Sequence, residues 1–337
     1  MDYESCMTPL SAPFPWFGGK RRVADIVWKR LGDVPNYVEP FFGSGAVLLM
    51  RPSEPGIETV NDIDGFVANF WRALRHDPNG VAAFADNPVN ENDLHARHIW
   101  LVNQRDSLQS RLEGDPEFYD LKIAGWWVWG ICSWIGSGWC SGSGPWISVN
   151  GSLVKGTTGQ GISRQLPHLG NAGRGINRKL PHISNAGQGI NRKHADIASW
   201  FDSLSNRLRN VRVCSGDWSR VCGPAPTTRH GLTGMFLDPP YGHEATRDPN
   251  IYAKDCLHVA GDVLNYCVEH GDNPLLRIAL CGYDGEHNIL ADRYGWACVH
   301  WKANGGYANQ GNGNGRINAH RERLYFSPGC INQGVLF

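Results

Sequence analysis

Short apolar runs bounded by glycine, proline and asparagine recur at both ends of the chain, with helical periodicities between them. Tyr37 to Val47 (YVEPFFGSGAV) reads as a strand, a glycine turn and the start of a helix. Ile57 to Asn61 reads as a second strand, and Phe66 to Leu74 follows with helical spacing. Beyond Asp77-Pro78 the character changes: residues 81–120 are polar and mostly helical in pattern, and Glu117 to Trp134 forms an aromatic-rich helical stretch. A Gly/Ser loop (Ser137 to Pro145) ends it. Order returns at Asp196, an N-cap residue type, after which Ile197, Trp200, Phe201, Leu204 and Leu208 share one helical face. Strands are then predicted at Val211–Cys214, Met235–Leu237, Leu276–Cys281, Trp296–Trp301 and Arg323–Phe326, with a helix over Asp255–Glu269. A Gly/Asn-rich loop, Asn304 to Gly315, separates the last two strands. Alternating strands and helices on both flanks of a differently composed middle predict one α/β sheet interrupted by an insertion.

The middle contains a tandem repeat. GISRQLPHLGNAGR (161–174) is followed at a period of 14 by GINRKLPHISNAGQ (175–188), and GINRK (189–193) opens a third copy. The copies are short and rich in Gly, Asn and Pro, which predicts an extended ribbon rather than a packed solenoid. His168 and His182 fall at matching repeat positions, which duplication explains without a metal.

Composition sharpens this division. The 337 residues carry 32 basic and 32 acidic side chains, so the total charge points to no partner. From Leu121 to Ala195, however, there is no acidic residue and there are eight basic ones: Lys122, Lys155, Arg164, Arg174, Arg178, Lys179, Arg192 and Lys193. The rest of the chain therefore carries 24 basic against 32 acidic residues. A block of that sign suits a polyanion such as a nucleic acid, with arginines at the repeat period available to phosphates or to base edges. The competing expectation is a duplicated loop with solvated charges. Six tryptophans between Trp126 and Trp146 are read as core rather than as base-stacking platforms.

Ten cysteines with no C-x-x-C pair argue against a zinc cluster or disulfide scaffold and for reduced thiols in a cytoplasm. The first ten residues have neither a basic start nor an apolar run, so no signal peptide is expected. The uncharged stretch Ile123–Cys140 is read as a buried aromatic segment rather than a membrane span.

Two turns carry the chemistry. Glu39-Pro40-Phe41-Phe42-Gly43-Ser44-Gly45 lies where a strand meets a helix, and its glycines let backbone approach a ligand at the edge of a parallel sheet. Asp62, at the end of the second strand, is placed to accept from both hydroxyls of a ribose, and Asp64 has an N-cap reading beside it. Asp238-Pro239-Pro240-Tyr241 follows an apolar strand. Its two prolines fix the turn and remove two N–H donors. The Asp238 carboxylate and the Pro239 carbonyl can hold the two hydrogens of an exocyclic amine, whose delocalised lone pair is then aimed at a methyl donor. Tyr241 offers a face for a flipped base.

In these segments the chain resembles the bacterial and phage DNA adenine methylase (Dam-like) family. Trp16-Phe17-Gly18-Gly19-Lys20, Glu39 to Val47, Asn61-Asp62-Ile63-Asp64 and Asp238 to Tyr241 carry the resemblance, with Gly216-Asp217-Trp218 as a weaker match. The resemblance implies a Rossmann-like methyltransferase fold with a mixed seven-stranded sheet and an inserted target-recognition domain, and S-adenosylmethionine as methyl donor. It places Trp16, Lys20, Glu39, Phe41, Gly43, Gly45, Asp62, Asp217, Trp218 and Asp238 at the cofactor, and Asp238, Pro239, Pro240 and Tyr241 at the reacting amine. Arg164, Arg174, Arg178, Lys179, Arg192 and Lys193 are assigned to DNA. Lys20, read by itself, is a solvated lysine beside Arg21 and Arg22; the resemblance alone draws it into the site. N-D-I-D stands where the family commonly has N-D-I-N, which bears on Asp64.

The expected division is a catalytic part over 1–75, an inserted recognition region over 76–198 and a second catalytic part over 199–337. The expected activity is site-specific methylation of the adenine 6-amino group in duplex DNA, with a cognate restriction endonuclease as a possible separate partner. The rival classes are methylation of the cytosine 4-amino group and a non-catalytic DNA-binding protein on a decayed methyltransferase fold. A cytosine 5-position enzyme is excluded, because no Pro-Cys dipeptide occurs in the chain.

Overall fold

The computed structural model describes residues 10–16, 20–115, 117–134, 139–140, 146–149, 152–155, 197–241, 258–301 and 320–332, with backbone alone for 146–149 and 152–155. The elements are α1 (Arg21–Leu31), β1 (Asn36–Glu39), β2 (Ile57–Asp62), α2 (Gly65–His76), α3 (Pro78–Ala85), α4 (Glu91–Gly114), α5 (Leu121–Ser133), β3 (Trp146–Val149) and β4 (Ser152–Lys155). They continue with α6 (Ile197–Leu208), β5 (Val211–Ser215), β6 (Thr233–Leu237), α7 (Val259–His270), β7 (Leu276–Tyr283), α8 (Asn288–Tyr294), β8 (Ala297–His300) and β9 (Glu322–Phe326).

The mixed seven-stranded α/β sheet expected from the sequence is present, in the order β5-β2-β1-β6-β7-β9-β8. β5, β2, β1, β6 and β7 pair in parallel, and β9 runs antiparallel between β7 and β8. Side chains alternate across it. Tyr37, Phe236, Ala279, Cys281, Leu324 and Phe326 join the core on one face, with α1, α2 and the helices behind them. Val38, Met235, Leu237, Ile278, Leu280 and Tyr325 join the core on the other, with α7 and α8. Burial on both faces is why these strands read as near-continuous apolar runs.

The middle helices share the first of these cores. Val81 of α3, Leu101 of α4, Trp127 of α5 and Phe201 of α6 belong to one cluster with Phe14, Phe42 and Phe236. Asp77 caps α3 at Gly80 N (2.8 Å), Asn90 caps α4 at Asp93 N (2.8 Å) and Asp120 caps α5 at Ile123 N (2.8 Å). The last cap starts α5 at Leu121, later than the aromatic pattern alone suggested. Trp127, Trp129, Trp134 and Trp139 are buried and Trp126 is partly buried, so these five indoles are core and core margin. Among the described residues no helix is long and apolar enough to cross a membrane. None of the eight described cysteines is in a disulfide.

Two expectations change. The glycine turn after β1 does not open an α-helix; only a 3-10 turn forms, Leu48–Met50. Arg51 precedes Pro52, and a residue before proline is disfavoured in the helical region. Helix α1 was not anticipated, because its charged run Arg21-Arg22 and Lys29-Arg30 masks the buried stripe Val23, Ala24, Val27, Trp28 and Leu31. The 14-residue repeats, Asp196 and the Asn304–Gly315 loop lie outside the described residues.

A buried ion triad fastens α6 to the sheet at the edge remote from the β-strand carboxyl ends. Glu58 near the start of β2 takes Arg51 Nη1 at 3.0 Å and Arg207 Nη1 at 2.6 Å. Elsewhere, His98 of α4 is buried against Trp134 and Trp139, with ring centroids 4.9 and 5.1 Å away. Neither ring nitrogen has a partner among the described residues. Burial, and secondarily the charge of His95, pushes its imidazole down to about 4. A base whose pKa falls on folding gives stability that is complete above its unfolded value and is lost as pH drops toward the folded one. Wild type is therefore expected to lose about 3 kcal/mol more than His98→Leu between pH 6.5 and pH 4. Urea unfolding of both proteins across that range measures the difference.

Candidate active site

The order of strands reverses at β1 and β6, and a parallel sheet opens a crevice at the carboxyl ends of such a pair. Asn36, Tyr37 and Val38 pair with Thr233, Gly234 and Met235, so the segments after Glu39 and after Leu237 leave the sheet side by side. Asp62 pairs with Ser215 at the ends of β2 and β5, which sets Gly216-Asp217-Trp218 on the same edge. The topology thus gathers every described motif from both flanks of the insertion at one rim.

The turn after β1 is shaped by close approach. Gly43 has φ +48°, and a Cβ there would overlap the Trp16 indole. Trp71 Nε1 donates to Gly43 O at 2.8 Å, and Gly43 N donates to Asp62 Oδ2 at 2.8 Å. Gly45 has φ +67°, and a side chain there would meet the Phe42 ring. Asp62 Oδ1 also accepts from Asp64 N at 2.9 Å. Loss of solvent, reinforced by the neighbouring Asp64 charge, pushes the Asp62 carboxyl up to about 7 despite these backbone donors. Asp64 itself is the N-cap of α2, accepting from Phe66 N at 2.8 Å.

At the rim of β5, Asp217 caps a short 3-10 turn by accepting from Ser219 N at 3.0 Å. Trp218 stacks on Phe41, with centroids 6.0 Å apart and planes 25° apart. Glu39 sits below the rim: it is 2 % exposed and accepts from the Tyr37 hydroxyl at 2.9 Å. Burial holds its carboxyl well above the ordinary range.

The turn after β6 meets the N-terminal segment. Lys20 is 7 % exposed, not solvated. Its Nζ lies 3.0 Å from Asp238 Oδ1, 3.8 Å from Glu322 Oε2 and 2.6 Å from the Tyr241 hydroxyl oxygen. The Tyr241 hydroxyl donates to Glu322 Oε2 at 2.9 Å. The Tyr241 ring meets Tyr283 edge-on at 4.4 Å, and Lys20 also lies 5.7 Å from the centre of the Trp301 ring. Burial opposes the Lys20 charge, yet the Asp238 and Glu322 carboxylates outweigh it and hold the ammonium well above its ordinary value. Pro239 is buried, while Pro240 and Tyr241 remain partly accessible.

Trp16, Lys20, Glu39, Phe41, Gly43, Gly45, Asp62, Asp217, Trp218 and Asp238–Tyr241 thus lie along the edge formed by the carboxyl ends of the parallel strands, with Glu39 sealed beneath it. Arg164, Arg174, Arg178, Lys179, Arg192 and Lys193 lie outside the described residues. Sequence reasoning missed Glu322, Tyr283 and Trp301. The signal for Glu322 was an acid at the head of an apolar strand, Glu-Arg-Leu-Tyr-Phe.

A parallel sheet with one antiparallel strand beside its edge, and a crevice carrying a glycine turn, an acid and an Asp-Pro-Pro-Tyr turn, is the arrangement of an α/β methyltransferase. Residues 16–115 match the family model for D12 class N6 adenine-specific DNA methyltransferase. The match supports adenine-specific methylation of DNA as the activity of this chain. No curated protein matches the chain. The matched span ends before Asp238, which the sheet brings back to it.

Removing the ammonium leaves two close carboxylates in a dry site. Breaking such a buried set by deleting one partner costs about 3–5 kcal/mol. Lys20→Met is expected to lose stability on that scale at pH 7.5 and to recover part of it at pH 5, as Glu322, whose carboxyl burial already raises, begins to take up a proton. Urea unfolding at the two pH values checks this.

Proposed function

We propose that the chain binds S-adenosylmethionine between the β1 and β2 rims and transfers its methyl group to the 6-amino nitrogen of an adenine held by the turn after β6. The family implies this donor in general, and three local features fit it. The Gly43 backbone closes against Trp16 where any side chain would intrude. The Asp62 carboxylate is held at the end of β2 by backbone N–H groups, with acceptor capacity left over for a ribose hydroxyl. Phe41 and Trp218 present stacked rings beside Asp217, which has the acceptor chemistry to meet an adenine amine. When bound, the donor supplies an electrophilic methyl and departs as a neutral thioether.

The remaining work belongs to the chain. Asp238 accepts one hydrogen of the target amine and the Pro239 carbonyl the other, drawing the nitrogen toward tetrahedral geometry with its lone pair exposed. The contacts of Asp238 with Lys20 and Tyr241 both fall on Oδ1, so neither draws on Oδ2. The Tyr241 ring, braced by Tyr283, offers the face against which a base out of its stack can lie. The basic, acid-free block from Leu121 to Ala195 is assigned to the phosphate backbone, with Arg164, Arg174, Arg178, Lys179, Arg192 and Lys193 as its contacts and residues 76–198 as the recognition region. A restriction endonuclease reading the same site is the corresponding partner.

The observation that carries this reading is the pairing of β1 with β6, which sets the turn bearing Asp238 beside the turn bearing Gly43. Expression in a host free of DNA methylation, followed by genome-wide mapping of modified bases, is expected to show N6-methyladenine at one recognition sequence. Asp238→Ala is expected to abolish that signal. Retained methylation in the variant would refute the role of Asp238.

Asp62 gives a separate test. Its carboxylate must be ionised to accept from hydroxyls, and its pKa stands at about 7. Affinity for S-adenosylmethionine is therefore expected to be full above pH 7 and to weaken by up to about tenfold per unit below it. Asp62→Asn is expected to bind more weakly with that pH dependence removed.

A further inference from the structure

Glu322 stands at the head of β9, the strand that reverses the sheet. Because β9 is antiparallel to β7, with Glu322 opposite Tyr283, its first residue arrives at the rim where β6 and β7 end. No parallel strand could deliver its first residue there. Glu322 is 5 % exposed, and its Oε2 takes the Tyr241 hydroxyl hydrogen at 2.9 Å while lying 3.8 Å from Lys20 Nζ. The Tyr241 oxygen, having given its hydrogen to Glu322, accepts from Lys20 at 2.6 Å. Lys20 then reaches Asp238 Oδ1 at 3.0 Å. Two carboxylates therefore share one ammonium, and the set carries one negative charge in excess.

We propose that Glu322 is a positioning residue for methyl transfer: it draws on the Lys20 charge and orients the Tyr241 hydroxyl, so that Asp238 stays a full-strength acceptor for the target amine. The proposal rests on the assignment of Asp238 above and extends it to the residue that governs its charge. With Glu322 neutral, Lys20 pairs with Asp238 alone, the excess charge disappears, and the Asp238 oxygens become poorer acceptors for an amine that gains positive charge as its nitrogen–carbon bond forms. The groups facing Glu322 are Lys20 from the N-terminal segment, Asp238 and Tyr241 from the turn after β6, and Cys281, Tyr283 and Glu286 from β7 and its exit. Burial raises the Glu322 carboxyl, with Lys20 and Tyr241 opposing and Asp238 and Glu286 adding to the rise. Its ionisation therefore falls above the ordinary carboxylate range and shapes the acid side of the rate profile.

The test compares single-turnover methyl transfer to duplex DNA carrying the mapped site, at S-adenosylmethionine concentrations that saturate at every pH so that Asp62 does not enter, across pH, in wild type, Glu322→Gln and Glu322→Asp. Glu322→Gln keeps an acceptor for Tyr241 and removes the charge. It is expected to slow transfer at least tenfold at pH 7.5, to change S-adenosylmethionine affinity less than threefold, and to lose the acid limb of the wild-type profile. Glu322→Asp is expected to restore the limb at a lower plateau. A Glu322→Gln rate equal to wild type, or a slowed rate with the limb intact, overturns the proposal. Should Glu322→Gln fail to fold, Tyr241→Phe keeps the ring and cuts the same link, and it is expected to slow transfer at least fivefold; an unchanged rate overturns the proposal. A wild-type protein that transfers no methyl overturns the underlying activity and the proposal together, whereas an active wild type beside an unaffected variant overturns the proposal alone.

Discussion

A single buried ammonium joins parts of the chain that lie more than two hundred residues apart. Lys20 precedes α1, Asp238 follows β6 and Glu322 begins β9, and all three meet inside one hydrogen-bonded group. Charges so poorly solvated are tolerated only when each has a partner at short range. That requirement fixes the N-terminal segment over the crevice, and with it the Trp16 indole that lies on Gly43. The rim is therefore assembled from opposite ends of the polypeptide, and the charge balance that holds it together also sets the surroundings of Asp238.

The sheet explains why this meeting is possible. Strand reversal at β1 and β6 leaves a gap in the layer of connections above the sheet, and turns from neighbouring strands line it. The two acids at the rim are treated differently by it. Asp62 is ringed by backbone N–H groups and titrates near neutrality for lack of solvent. Asp238 is paired with a fixed cation. The same residue type thus stands in two different electrostatic settings along one crevice.

Much of this was legible in the letters. Strands buried on both faces announce themselves as apolar runs, and the turns that end them are marked by Gly and Pro, so β1, β2, β6, β7 and β9 and the motifs after them could be placed. Asp64 as a cap was equally plain. What was hidden depends on through-space partners. Lys20 sits next to Arg21 and Arg22 and looks solvated; only two distant carboxylates make its burial affordable. Glu322 carries no motif, and its place at the rim follows from β9 running against its neighbours. Helix α1 was obscured by charges on its outer face, and the helix expected after Gly45 shrinks to a 3-10 turn because Pro52 follows so soon.

The triad of Arg51, Glu58 and Arg207 has a bearing on how such a chain can change over generations. It moors α6 to the foot of the sheet, on the side away from the crevice, while α5 is sealed among aromatic side chains. The repeat-bearing stretch between these helices is thus tethered at both ends to rigid masonry. For a tether of that length, even in the limiting case of an unstructured connector, one more copy of fourteen residues raises the closure entropy by only about 0.2 kcal/mol. Gain or loss of a copy by replication slippage would therefore cost the fold little, so the repeat-bearing stretch can drift in length while the rim stands still.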